Sequence, residues 1–272
     1  MGVQAAIGFL APCRKKPVFH DGCAQADYLP LEQHRVWIED VRAHAGRCSL
    51  DRDGFAIVRS ASAVRDFFTA EGRLSYLREI EALLLDVTGG SRAVALANGV
   101  IRRSERSAGH RRDGTTVLGR FAHCDFSSAP AGSTYWVEKM LGPHEARQRL
   151  ATRFALYNVW RPLSPPPHDS PLALCDARSV AAEDVIGCDQ ILCSPDGSRT
   201  AFELSLFRYN SAQRWCYFSN MSLQEALVFK GFDSDPRRAG GVAHAAFDAP
   251  ECPPGAPGRE SIDERVIVFF DA

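Results

Sequence analysis

No C-x-x-C pair occurs in this sequence. Its nine cysteines (Cys13, Cys23, Cys48, Cys124, Cys175, Cys188, Cys193, Cys216 and Cys252) lie far apart along 272 residues. That spacing argues against a structural zinc site, and a chain of this length does not need a disulfide framework, so most are expected to be free thiols in apolar positions. Surplus charge is also missing: 32 Lys and Arg against 33 Asp and Glu leave a formal net charge of −1. Bulk electrostatics therefore gives no reason to expect a nucleic-acid or membrane partner. The short clusters Arg102-Arg103 and Arg111-Arg112 are expected on the solvated surface. No run approaches the roughly 18 apolar residues of a membrane span. The opening MGVQAAIGFLAP lacks a basic n-region and a cleavage pattern, and Ala6 stands where a myristoylation signal wants Ser or Thr. A soluble, cytoplasmic protein is expected. There is no internal repeat, and the single biased tract is LSPPPHD, Leu163 to Asp169, read as a rigid surface loop.

Apolar types make up 45 % of the chain, enough for one sizeable core. With no clear linker, residues 1–272 are read as one domain, in which 1–50 form an extended arm with a short helix around Leu31–Arg42. Leu74, Leu77, Ile80, Leu83 and Leu84 recur at three- and four-residue steps, predicting a helix within Ser62–Val87 that Gly89-Gly90 ends. From there the pattern is β-rich. Short strands are predicted at 93–101, 121–126, 133–137, 154–160, 172–175, 190–193, 201–209, 214–218, 226–232, 242–247 and 265–270, with one helix at Pro143–Arg153. Many short strands with Pro- and Gly-rich turns point to a mainly β fold with flanking helices: a sandwich, jelly roll or barrel.

Of eight histidines, one sits in an H-x-D arrangement, His123-Cys124-Asp125. On a strand, alternation puts His123 and Asp125 on one face and Cys124 on the other. One further histidine from another strand would complete a 2-His-1-carboxylate set, which leaves open positions on iron for cosubstrate and dioxygen. His144 stands at a helix start and His168 follows three prolines, whereas His244 lies in the apolar strand AGGVAHAAFDAP and is the best candidate. H-x-D alone reads equally as a surface hydrogen-bonded pair, and a histidine in an apolar strand as a satisfied core residue. A second signal follows in Arg259-Glu260-Ser261: a guanidinium and a hydroxyl side by side form a clamp for a carboxylate. Asn158 shares an otherwise apolar strand face with Phe154, Leu156 and Trp160, so it needs a polar partner: an oxo-acid, a group beside the metal, or backbone.

The runs NVWRPLSPPPHDSPLALCDARSV (158–180), RYNSAQRWCYFSNMSLQEALVFKGFDS (208–234) and AHAAFDAPECPPGAPGRESIDERVIVFF (243–270) resemble the fungal and bacterial hydroxylase/desaturase family, with AsaB-like, CmcJ-like and gibberellin-desaturase-like members. DGFAIVRSASAVRDF and the helix after it resemble its N-terminal part, so the likeness spans roughly residues 50 to 270. The resemblance implies a double-stranded β-helix (jelly-roll) fold and Fe(II)/2-oxoglutarate chemistry with dioxygen in secondary metabolism. Carried over by motif, His123, Asp125 and His244 would bind iron, and Arg259 with Ser261 the distal carboxylate of 2-oxoglutarate. Where the family pattern has Val-Asp and then a polar residue, this sequence has Cys124-Asp125-Phe126. Cys124 is expected to point away from the metal and Phe126 to alter the substrate pocket.

The implied reaction is hydroxylation, desaturation or oxidative cyclisation of a small molecule. Trp160, Arg161, Arg178, Tyr209, Trp215 and Lys230 are candidate substrate contacts, against the alternative that the tryptophans are core and the arginine beside Asp176 is salt-bridged. Two rivals stay open: a cupin-shaped metal enzyme that does not use 2-oxoglutarate, and a non-catalytic jelly-roll binding protein. The Arg259-x-Ser261 element weighs against the first and the intact triad against the second.

Overall fold

The computed structural model describes all residues except 22–26, 97–98, 111–114, 117, 194–196 and 272, and leaves the side chains of 115, 116 and 130 undescribed. Cys23 and the Arg111-Arg112 cluster lie outside the described residues. Two curled sheets face one another. The nine-stranded sheet runs in the order Gly2–Leu10, Leu31–Asp40, Trp215–Tyr217, Leu172–Cys175, His244–Ala246, His123–Cys124, Arg199–Phe207, Val185–Cys193, Val18–Asp21. The second sheet is seven-stranded and is centred on the long antiparallel pair Phe154–Pro162 and Glu260–Phe269, flanked by Glu225–Asp233 and Phe55–Arg59 on one side and Val100–Arg103 on the other. The result is the expected jelly roll.

Period-2 alternation explains how that central pair serves both faces. Phe154, Leu156, Ile267 and Phe269 pack into the core between the sheets, while Ala155, Tyr157, Val159, Val266 and Val268 pack outwards. The outward face is covered by the helix Ala70–Thr88, whose Tyr76, Ile80 and Leu84 are fully buried. Each such side chain contributes about 1.5–3 kcal/mol. Thr69 caps the helix by accepting a hydrogen bond from the Gly72 amide, and Gly89 ends it in the left-handed conformation at φ 68°, as its position in the sequence predicted.

Three expectations are corrected. Residues 31–42 are not helical, and the arm is not extended away from the body: Leu31–Asp40 pairs antiparallel with Gly2–Leu10 over nine residues and parallel with Trp215–Tyr217. A continuous ladder with Val36 and Ile38 turned inward outweighs the helical propensity of LEQHR. The strand expected at 133–137 lies inside the helix Pro130–Arg149; Ser133 and Val137 are both fully buried four residues apart, a helical period. Gly142 breaks that helix at φ 75°, and Pro143 restarts it where expected. Finally, the Arg102-Arg103 pair is not a solvated cluster: Arg102 lines the cavity shared with His123 and His244, and Arg103 is buried, its Nε donating to Glu260 at 2.9 Å. Of the eight described cysteines, seven are free thiols and Cys193 is disulfide-bonded. The LSPPPHD tract is exposed at Pro165 and Pro167 but buried at Ser164, His168 and Asp169, so only its tip is surface.

Lys230, on the strand Glu225–Asp233 of the second sheet, is fully buried, with Nζ 2.9 Å from Asp51 and 2.6 Å from Asp233. Lys230→Ala leaves Asp233 short of one of its two cationic partners. The variant is expected to lose about 3 kcal/mol or more of stability, read as a lower urea midpoint, with little change in metal affinity.

Candidate metal and carboxylate site

Three short strands at the middle of the nine-stranded sheet position the histidines. His123 and His244 are direct cross-strand partners, and their ring centroids lie 4.3 Å apart. Each ring is fixed through Nδ1: His123 donates to the Phe121 carbonyl at 2.8 Å and His244 to the Val242 carbonyl at 3.1 Å. With the proton on Nδ1, the Nε2 lone pairs are the free donors. Asp125 follows just past the strand, with Oδ1 3.8 Å from His123 Nε2. One potential ligand atom from each of His123, Asp125 and His244 falls within 4.8 Å of the others, the only such group of three found among the described residues. Gly119 approaches closely: a Cβ there would lie 2.7 Å from His123 Cε1.

The protonation states suit a cation. Burial, then the nearby His123, pushes His244 down to about 3; burial also lowers His123. For Asp125 burial works upward, but the Arg265 guanidinium outweighs it and holds the carboxyl well below its usual range. In the metal-free protein the histidines stay neutral where the unfolded chain would take up protons. Stability is thus fully present above about pH 6.5 and is lost on acidification, at about 1.4 kcal/mol per pH unit for each such histidine. A urea midpoint for metal-free protein that stays flat from about pH 7 to about pH 5 would contradict this.

Across from the triad, the second sheet supplies Arg259, Ser261, Asp263 and Arg265, alternate residues of one face at and just before the strand Glu260–Phe269. Arg259 and Ser261 are each 1 % exposed. The Arg259 Nη1 donates to the Ser170 carbonyl at 2.7 Å, its backbone amide donates to Asp169, and its guanidinium lies 5.4 Å from the centre of the Trp160 ring. Its Nε and the Ser261 hydroxyl have no hydrogen-bond partner. Burial pushes the guanidinium down from its ordinary value, so it carries a desolvated charge that an anion would stabilise. A narrow cavity connects the two halves, lined by His123, His244 and Leu172 on one side and Trp160, Arg259 and Asp263 on the other.

Of the residues singled out in the sequence, His123, Asp125, His244, Arg259, Ser261 and Trp160 come together here. Asn158 is fully buried, and of the three partners expected for it, it takes the group beside the metal position: its Nδ2 donates to Asp125 Oδ2 at 2.6 Å, with a longer contact of 3.3 Å to Asp263. The remaining substrate candidates are elsewhere. Arg161 turns to the outer face, bonding Ser60 and the Leu223 carbonyl; Arg178 pairs with Asp176 and Asp53; Lys230 is buried in its own ion pairs. Tyr209 stacks on His34 at 4.0 Å, and Trp215 packs edge-on to Phe9. Phe126 does not shape the cavity either: its ring fills the space above Gly231, where a Cβ would come within 2.0 Å of it. Cys124 points away from the triad, towards the Gly231 carbonyl, as alternation required. Sequence reasoning missed Asp263 and Arg265, although continuing the alternation from Arg259 and Ser261 reaches both. Burial and the charge of Asp125 raise Asp263 to about 6.

Comparison with known proteins places this geometry. A family model described as oxidoreductase/YMDC permease-like domain matches residues 9–269. No helix among the described residues is long and apolar enough to cross a membrane. The Fe(II)/2-oxoglutarate-dependent dioxygenase nvfI of Aspergillus novofumigatus is 30 % identical over 242 residues, covering 87 % of this chain and 83 % of that protein. The hydroxylase/desaturase efuI of Hormonema carpetanum is 31 % identical over 256 residues, with the same coverage. The solved structure of the iron and alpha-ketoglutarate-dependent endoperoxidase NvfI superposes with a TM-score of 0.87 at 26 % identity, covering 100 % of this chain and 99 % of that one. The chain belongs to the Fe(II)/2-oxoglutarate-dependent dioxygenase family that includes the fungal hydroxylase/desaturases.

Proposed function

We propose that His123, Asp125 and His244 hold the iron of this dioxygenase, and that Arg259 and Ser261 hold the distal carboxylate of 2-oxoglutarate. The observation that carries the assignment is the pair of buried, orphaned polar groups Arg259 Nε and Ser261 Oγ on one strand face, with Arg259 lining the same cavity as His123 and His244. Leaving such groups unpaired costs about 1–3 kcal/mol each, a cost that a bound carboxylate removes. The donor set fits iron: two neutral imidazoles and one carboxylate, leaving positions for a chelating cosubstrate.

Iron, 2-oxoglutarate and dioxygen supply the oxidising power for attack on an unactivated carbon. The chain's own residues bind and orient: the histidines present Nε2, Asp125 presents one carboxylate oxygen, and the Arg259 fork with the Trp160 ring beneath it sets the far end of the cosubstrate. The names of the relatives, endoperoxidase and hydroxylase/desaturase, support a small-molecule substrate from secondary metabolism, undergoing hydroxylation, desaturation or oxidative cyclisation. We read residues 1–272 as one domain of a cytoplasmic enzyme, and the near-zero net charge gives no reason for a nucleic-acid or membrane partner.

The test is anaerobic titration of the metal-free protein with Fe(II) and 2-oxoglutarate. A weak visible charge-transfer band, lost in both His123→Ala and Arg259→Ala, is the expected result. Iron binding without the band would mean that these residues do not place 2-oxoglutarate on the metal. No iron binding would overturn the ligand set.

A further inference from the structure

Asp125 differs from the two histidines in how it is held. His123 and His244 sit in strands, opposite one another in the ladder, whereas the strand His123–Cys124 stops before Asp125, and the chain bends there on its way to the helix at Pro130. No ladder fixes the carboxylate. Its Oδ2 is instead taken from the other sheet: Arg265 Nε donates to it at 2.8 Å and Asn158 Nδ2 at 2.6 Å. Arg265 and Asn158 are themselves direct cross-strand partners on the second sheet, so the two donors arrive from one rigid pair. Both are presented on the inward face, Asn158 wholly buried and Arg265 with its side chain 23 % exposed. Oδ1 is left as the oxygen turned towards His123, at 3.8 Å from Nε2.

We propose that Arg265 and Asn158 are positioning residues that tether Asp125 across the gap between the sheets, reserving Oδ2 for the protein and Oδ1 for the metal. The inference rests on the iron reading above and goes beyond it. A carboxylate with both oxygens free can rotate, or grip a cation with both, and either change disturbs the positions left for the cosubstrate. Two charge-assisted or short bonds to one oxygen suppress both motions.

The expected sign of the effect separates tethering from plain electrostatics. Removing a cation next to a metal site should by charge alone tighten metal binding. Removing a tether should loosen it, by about 10–100-fold for an outer partner of a metal ligand. The experiment measures Fe(II) affinity anaerobically, together with the position of the visible band in the presence of 2-oxoglutarate, for wild type, Arg265→Met, Arg265→Lys and Asn158→Leu. Thermal melting of each metal-free protein reports whether it is folded. Expected are weaker Fe(II) binding and a displaced band in Arg265→Met, a smaller change of the same sign in Asn158→Leu, and recovery towards wild type in Arg265→Lys, whose ammonium can still reach Oδ2. Should Arg265→Met not fold, Asn158→Leu and Arg265→Lys carry the comparison. Fe(II) binding that is unchanged or tighter in the folded variants, with the band unmoved, overturns the tether. Loss of binding and band in the wild type itself would instead overturn the iron reading, and the tether with it.

Discussion

His244→Ala is expected to abolish 2-oxoglutarate turnover, measured as succinate release, and to weaken Fe(II) binding by more than the ~10–100-fold that loss of an outer-shell partner costs. The imidazole is buried between the His123 ring, with centroids 4.3 Å apart, and the Phe229 ring at 4.8 Å. Truncation therefore leaves an apolar void beside two remaining ligands, with no other metal-binding side chain in the group to replace it. The backbone has little reason to move, because Ala245 and Ala246 already keep the same strand with small side chains. A cavity of that size costs about 2–4 kcal/mol in stability, which a melting curve separates from the loss of metal. Normal turnover by a folded His244→Ala protein would sink the assignment.

How much of this site was readable in advance depends on the length scale of each signal. His123 and Asp125 are two residues apart, so alternation joined them in the sequence even though the strand itself ends at Cys124. Arg259 and Ser261 are joined by the same rule. His244 had to be chosen among distant histidines, and what singled it out was chemical: an imidazole in an apolar strand needs a reason, and the structure supplies one by setting it opposite His123. The Arg265–Asp125 salt bridge was not legible, because it links positions 140 residues apart across two sheets, and no local pattern predicts which sheet faces which. The first fifty residues failed for a related reason. Gly2–Leu10 and Leu31–Asp40 look unremarkable alone, and become strands by pairing with each other and with Trp215–Tyr217. Gly8 even bridges Phe121, two residues before His123, so part of the apparent arm buttresses the metal motif. The charged candidates for substrate contact were ambiguous for another reason. Arg161, Arg178 and Lys230 are charged residues beside apolar strands, and such a residue can be a ligand contact or be satisfied within the protein. Composition does not distinguish the two; the partners do, and Ser60, Asp176 and Asp233 are those partners.

Arg259→Met is expected to raise the KM for 2-oxoglutarate by at least about a hundredfold while leaving Fe(II) affinity within a few-fold of wild type, since each charge-assisted bond is worth about 1.5–3 kcal/mol. Methionine fills similar space over the Trp160 ring without the charge, so the change isolates the clamp from the packing. The native guanidinium meets only part of its need within the protein: Nη1 reaches the Ser170 carbonyl, while Nε has no partner. That incomplete satisfaction gives the prediction a second, opposite-signed half. A buried cation short of partners destabilises the free protein, so Arg259→Met should melt no lower than wild type without cosubstrate. Added 2-oxoglutarate should then stabilise the wild type and fail to stabilise the variant at the same concentration. Arg259→Lys should fall between, because an ammonium restores the charge but not the fork. A structural arginine would behave in the reverse way: the variant would melt well below wild type, and its KM for 2-oxoglutarate would not move. The two measurements together therefore decide whether Arg259 is there for the fold or for the cosubstrate. The unmet hydrogen-bonding capacity of Arg259 Nε and Ser261 Oγ, on one face of the chain with Arg259 lining the cavity that His123 and His244 also line, argues for the cosubstrate.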